Sequence, residues 1–251
     1  MLILLDIGNT SVTIGTCKTR RLAKIRFLHL NLFPKFIQNC LKSGELKSNC
    51  TLVVSSVVPK ITDFLKKEFK KAKLGNLWIA GDNLQVPILH NYRNVKELGI
   101  DRAVNVSGAL KMFRPPLLII DIGTAITADY VSKSSLFEGG LIVPGPGISF
   151  EALVQRAALI PKTIRMPHRA GPLVGRSTRD CLASGIVHGY GAMIDGIVER
   201  FKAKFGKKIK VIITGGYSAL VRPVISKSYT IDPLHSIRSL LLIYHDQIQR
   251  V

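Results

Sequence analysis

LILLDIGNTSVTIG (Leu2–Gly15) and LLIIDIGTAITADY (Leu117–Tyr130) are two versions of one pattern. Each opens with an apolar run, reaches Asp-Ile-Gly, bends through small and hydroxyl-bearing residues, and returns to β-type residues. Asp6 and Asp121 occupy the same place in the two copies. Short apolar runs bounded by glycine predict buried strands, and the bend between two of them predicts a β-hairpin. Two such copies imply a duplicated α/β unit, with one half over residues 1–115 and the other over 116–251.

The segments around the hairpins fit that plan. Thr51–Val58 is β-branched and reads as a strand, and Pro59 opens a basic amphipathic helix running to about Lys73. Leu77–Ala80 is a short strand. From Gly99 to Phe113, residues Ala103, Val106, Ala109, Leu110 and Phe113 recur at helical spacing. Pro115-Pro116 stops that helix and marks the boundary between the halves. Beyond it, Pro144–Gly147 reads as a rigid loop, Ser177–Lys204 as a long glycine-interrupted helix and Lys210–Thr214 as a strand. Gly215-Gly216 turns that strand into another helix, and Pro233 starts a last helix running toward Gln249. Two such halves packed together would leave a cleft between them.

Composition narrows the function classes. The 251 residues are 47% hydrophobic, 7% aromatic and 21% charged, a globular rather than a disordered balance. The start, Met1–Thr10, has no basic leader, and Asp6 interrupts its short apolar run, so it does not read as a secretory signal. No uninterrupted apolar run of about 18 residues stands out, and the expected location is the cytoplasm. Cys17, Cys40, Cys50 and Cys181 form no CxxC pair, and the histidines show no HxxxH spacing, so neither disulfides nor zinc is indicated.

The net charge is +20, from 36 Lys and Arg against 16 Asp and Glu. Such a field attracts phosphates. The basic residues, however, fall in separate clusters: Arg20, Arg21, Lys24 and Arg26; Lys66, Lys67, Lys70, Lys71 and Lys73; and Lys202, Lys204, Lys207 and Lys208. The last two lie where helix ends are expected, a favoured place for lysine. A solvated face is the reading, and no nucleic-acid or membrane partner is expected. Lys162 and Arg165 carry no derived role beyond surface charge.

The hairpin turns carry the chemistry. Gly8 lets the backbone bend and approach a ligand closely. Asn9, Thr10, Ser11 and Thr13 offer donors to phosphate oxygens, and Asp6 stands ready to hold Mg²⁺ directly or through water. A second copy, Asp121-Ile122-Gly123-Thr124, makes a two-sided clamp on the phosphates of a nucleotide. No GxxxxGK[ST] motif is present, so a P-loop is excluded. The pair of hairpins resembles the two phosphate elements of the actin-like ATPase and sugar-kinase superfamily, with Gly215-Gly216 as its adenosine turn. The fold class this implies is α/β, a duplicated actin-like (ribonuclease H-like) ATPase fold with two similar halves around a nucleotide cleft.

The full motif set is narrower still. DIGNT (Asp6–Thr10), GIDR (Gly99–Arg102), DIGTAIT (Asp121–Thr127), GGLIVPG (Gly139–Gly145), GRST (Gly175–Thr178) and TGG (Thr214–Gly216) together resemble the type III pantothenate kinases. The resemblance implies ATP-dependent phosphorylation of pantothenate to 4′-phosphopantothenate, the first step of coenzyme A biosynthesis. It implies that Asp101 is the general base, that Arg102 binds the pantothenate carboxylate, and that Gly99, Ile100, Tyr92 and Thr178 contact the same substrate. It places ATP against Asp6, Ile7, Gly8, Asn9, Thr10, Ser11, Val12, Thr13 and Thr124. It gives Asp121 a monovalent cation, K⁺ or ammonium. It also implies a homodimer, with the long helix after Ser177 as the interface element.

Physical chemistry agrees with the acid–base assignment. Phosphoryl transfer needs an oriented acceptor and a carboxylate to take its proton, and a planar guanidinium suits a carboxylate-bearing acceptor. Ile100 stands where the family's motif commonly has a small residue, and Ile122 and Ile126 keep β character in the second hairpin. Two other readings remain open in the sequence: a non-catalytic nucleotide- or DNA-binding regulator on the same scaffold, and a kinase for another small alcohol.

Overall fold

In the first repeat, β1 (Leu2–Ile7) and β2 (Ser11–Lys18) pair as an antiparallel hairpin with Asp6 opposite Thr13 and Ile7 opposite Val12. The computed structural model describes residues 1–18 and 21–249; Arg20, named in the first basic cluster, lies outside the described residues. By contacts the chain forms two units, Met1–Met112 with His235–Val251 and Phe113–Leu234.

The first unit continues with β3 (Arg21–His29), α1 (Phe33–Lys42), β4 (Thr51–Ser56), α2 (Pro59–Lys71), β5 (Asn76–Ile79), the two-residue β6 (Leu89–His90) and α3 (Ile100–Met112). Its five-stranded sheet has the order β3-β2-β1-β4-β5, with β4 parallel to β1 and β5 parallel to β4. β1 is covered on both sides, which is why it reads as a continuous apolar run rather than an alternating one. Ile3, Leu5 and Ile7 join Phe33, Ile37, Leu65 and Phe69 of α1 and α2. Leu4 joins Val53 and Val104 with Ile237, Leu240 and Leu241 of the last helix.

The second unit holds β7 (Leu117–Ile122), β8 (Ala125–Val131), β9 (Leu136–Pro144), α4 (Pro146–Arg156), α5 (Thr178–Phe205), β10 (Lys210–Thr214), the four-residue α6 (Ser218–Val221) and β11 (Thr230–Ile231). β7 and β8 repeat the hairpin, with Asp121 opposite Thr127, and β10 lies parallel to β7 with Thr214 beside Asp121.

The last helix, α7 (His235–Ile248), belongs by contacts to the first unit. The sequence reading divided the chain at 115/116 and put this helix in the second half. Burial decides its place: Ile237 and Leu240 are fully buried against the back of β1 and β4. α3 and α7 approach closely, and a β-carbon on Gly108 would stand 1.9 Å from Ser239 Oγ.

One further expectation changes. Pro144–Gly147 is not an irregular loop: Pro144 ends β9 and Pro146 opens α4, where its missing N–H has no helical partner to lose. α5 has 28 residues and contains an 18-residue window of mean hydropathy 1.3, although His188 and Asp195 keep it from being an uninterrupted apolar run. Its isoleucines, valines and alanines raise the hydropathy, and its glycines, His188 and Asp195 break the run. One stripe of α5, Ser184, Val187, Gly191, Ile194 and Val198, is buried within the second unit.

Candidate active site

The first turn is tied by its own backbone. Gly8 N–H donates to Ser11 O at 3.0 Å, which leaves Asn9, Thr10 and Ser11 exposed at the tip. Val12 is buried beneath them, and Ile7 is pinned by Val57 N–H at 3.1 Å. Thr10 O accepts from Leu30 N–H at 2.9 Å, so β3 runs directly into support of the tip.

Asp6 points to the face of the sheet opposite Leu5. Asp6 is half-buried, and loss of solvent around its carboxyl raises its pKa to about 6. A hydrogen bond from the Ser236 side chain opposes the rise, the negative charge of Asp101 adds to it, and the Ser55 hydroxyl on β4 opposes it again. The structure therefore brings Asp6 and Asp101 into electrostatic range of one another. Ser236 lies in the first turn of α7. No local signal near Asp6 could have pointed to it.

Asp101 sits in the first turn of α3. Its Oδ1 accepts from Arg102 N–H at 2.8 Å. Ala103 N–H donates to Gly99 O at 3.1 Å, which starts the helix at this motif. Ile100 packs over Gly81, where a β-carbon would stand 2.9 Å from Ile100 Cδ1. Gly81 has φ +80°, so the bend after β5 and the larger residue of the GIDR motif fit each other.

Arg102 is 6% exposed, a buried cation. Its Nη1 donates to Tyr92 Oη at 2.7 Å, and its guanidinium carbon lies 5.6 Å from the centre of the Tyr92 ring. The tyrosine thus holds the guanidinium by a hydrogen bond and a cation–π contact. Tyr92 N–H donates to His90 Nδ1 at 3.3 Å.

In the second unit the turn after β7 is closed by Gly123 N–H on Ala125 O at 3.0 Å. Gly145 packs on it: its N–H donates to Thr124 O at 2.9 Å, and a β-carbon there would stand 2.2 Å from Gly123 O. Gly215, with φ +93°, lies against Asp121, and a β-carbon would meet Oδ1 at 2.4 Å. The GGLIVPG and TGG motifs therefore enclose the DIGT turn, with Thr214 fully buried beside it. Thr178 opens α5, next to the helix cap in which Ser177 Oγ accepts from Asp180 N–H at 3.1 Å.

Lys162 is not a bare surface charge. Its Nζ donates to the carbonyls of Val154, Gln155 (2.9 Å) and Ala157 (3.1 Å), closing the C-terminal end of α4. Arg165 has no structural role assigned to it.

Known proteins supply the remaining evidence. The family model for type III pantothenate kinases matches residues 2–200. A type III pantothenate kinase of Sulfurihydrogenibium sp. (strain YO3AOP1) is 33% identical over 233 residues, covering 88% of this chain and 90% of that protein. Among solved structures, a protein described as a Baf family transcriptional activator from Campylobacter jejuni is 20% identical, with a TM-score of 0.62 over 98% of this chain and 99% of that one. A protein described as a 2-dehydro-3-deoxygalactonokinase, from Sinorhizobium meliloti, has a TM-score of 0.59 at 9% identity, over 100% of this chain and 98% of that one. Such low identities speak for the fold alone, the duplicated α/β fold of actin-like ATPases and sugar kinases. With the family model matching most of its length, this chain belongs to the type III pantothenate kinases.

Proposed function

We infer that this chain phosphorylates pantothenate with ATP, giving 4′-phosphopantothenate, the first step of coenzyme A biosynthesis. The observation that carries the reading is the family match across residues 2–200, within which the GIDR motif forms an ordered Asp101–Arg102–Tyr92 group.

In this reading Asp101 is the general base that takes the proton of the attacking pantothenate hydroxyl. Its position in the first turn of α3 supports that role, because the Arg102 N–H holds the carboxylate in one place there. Arg102 would receive the pantothenate carboxylate, its guanidinium already oriented by Tyr92. Gly99 and Ile100 would add acceptor contacts beside Arg102, and Thr178, at the start of α5, is proposed as a pantothenate contact on the family resemblance alone. The turn donors of Asp6–Thr13 and of Thr124 would orient the phosphates of ATP.

Asp6 fits a divalent cation. Its carboxyl is half-neutral near pH 6 through burial, and a cation would restore its charge. Among the described residues no three His, Cys, Asp or Glu gather as a metal cluster. That agrees with Mg²⁺ held by one or two carboxylates with phosphate and water oxygens. When bound it would neutralise charge developing on the transferring phosphoryl group. Asp121 would hold potassium or ammonium, and the absence of a side chain at Gly215 supports it by leaving the carboxylate's flank clear.

A homodimer is part of the same proposal. The face of α5 opposite its buried stripe carries Cys181, Gly185, Gly189 and Ala192, all exposed. Small residues in such a row let two helix backbones approach closely. We also place the enzyme in the cytoplasm, without a membrane or nucleic-acid partner.

The test is release of ADP from Mg-ATP by purified protein, with and without pantothenate, in potassium and in sodium buffer. Turnover requiring pantothenate and potassium is expected. ATP binding without turnover on any small alcohol would overturn the kinase reading in favour of a regulator.

A further inference from the structure

The apolar side of the first unit's sheet is not completely filled. Between β1, β2, β4 and α1 lies a cavity of about 290 Å³, close to the lower end of the roughly 300–1,000 Å³ of small-molecule pockets. Its floor is Ile3, Leu5, Ile14, Ile37, Leu46 and Leu52, all buried. Interiors hold few voids larger than a water molecule, and the walls of an empty one lose their contacts.

The rim is of different chemistry. Lys24 and Arg26 lie two residues apart on β3, opposite Thr16 and Ile14 of β2, and both are exposed. Among the described residues neither is held in an ion pair. Arg26 has its guanidinium carbon 6.0 Å from the centre of the Phe36 ring. Glu45, also exposed, accepts from Cys40 Sγ at 3.5 Å and is the one acidic residue of the lining. The mouth therefore carries two cations against one anion, above an apolar floor.

We propose that this cavity binds a small amphipathic anion, an aliphatic monocarboxylate of medium chain length, with its chain on the Leu5–Leu52 floor and its carboxylate at Lys24 and Arg26. An uncharged hydrocarbon would leave the basic rim unused, and a polar anion would leave the floor unfilled. The site stands on the α1 side of the sheet, whereas Asp6 faces α7 on the other, so it does not depend on the kinase reading.

Isothermal titration calorimetry of the full chain with octanoate, and separately with octylamine, tests it. Saturable one-site binding of octanoate is expected, with octylamine weaker by about tenfold or more, as loss of a charge-assisted contact implies. Arg26→Glu should weaken octanoate by a similar factor while leaving the fold intact, since the side chain is exposed. Cys40→Leu, which adds bulk to the wall, should abolish binding without lowering the melting temperature. Absence of saturable octanoate binding overturns the site. Equal binding of the amine, or unchanged affinity in Arg26→Glu, overturns the anionic ligand class.

Discussion

Gly99 and the Asp101 carboxylate lie close enough that no side chain fits between them: a β-carbon on residue 99 would stand 2.6 Å from Asp101 Oδ1. The backbone of the GIDR motif thus sets where the carboxylate rests. Gly99→Ala should displace it by a fraction of an ångström to an ångström, and misplacement of that size lowers kcat by about 100-fold. Steady-state kinetics with an unchanged thermal melt is the check, and full activity would mean that the carboxylate's position is not critical.

Asp101→Asn keeps the shape and removes the base. Turnover should fall by about 10²–10⁴-fold, the usual contribution of a positioned proton acceptor, with the fold retained. Pantothenate-dependent ADP release measures it. An Asn variant as fast as the parent would remove Asp101 from the proposed chemistry.

Asp6 has a clear pH signature. Its folded pKa of about 6 lies above the ordinary 3.8, so the folded state holds that proton more tightly than the unfolded chain does. The stability this confers is complete below about pH 4 and is lost as pH rises through 6. At neutral pH the ionised, buried group therefore works against folding. Asp6→Asn should be more stable than the parent at pH 7.5, by up to about 3 kcal/mol, with the difference shrinking toward zero near pH 4. Urea midpoints at the two pH values decide this. The same variant should lose Mg-ATP binding.

The contact of α3 with α7 predicts a rescue. Gly108→Ala places a methyl group 1.9 Å from Ser239 Oγ, and overpacking of this kind costs about 1–3 kcal/mol. Ser239→Gly in the same chain removes the Oγ and Cβ but leaves the residue 239 Cα 2.6 Å from the new methyl, so it should restore part of the loss and not all of it. Thermal melts of the two single variants and the double one measure the coupling, and strict additivity would mean that the two helices yield independently.

What was legible in the sequence was what short-range pattern encodes. The duplicated apolar-Asp-Ile-Gly runs announced both hairpins, and the registers Asp6–Thr13 and Asp121–Thr127 place the aspartates equivalently. The helical spacing after Gly99 announced α3. β3 was invisible because it is mostly exposed, with Arg21, Lys24 and Arg26 breaking up its apolar residues, and none of its residues is fully buried to mark a face. α4 was hidden by its Pro-Gly-Pro-Gly entry, which resembles a loop until Pro146 is seen at the first helical turn. Ser236 facing Asp6 depends on a contact between residues far apart in the chain, and one sequence carries no trace of such a pairing. Lys162 closes α4 from only a few residues downstream, through a turn whose shape its charge alone did not reveal.

The position of α7 has a consequence for how the chain is made. The second unit is inserted within the first, so β1 and β4 leave the ribosome long before the helix that covers one of their faces. Phe113–Leu234 can complete its own core during synthesis, while Leu4 and Val53 wait for Ile237 and Leu240. Removing residues from His235 onward would thus leave the middle of the chain folded and its beginning unfinished, with the strand that carries Asp6 bare on the side where its carboxylate lies.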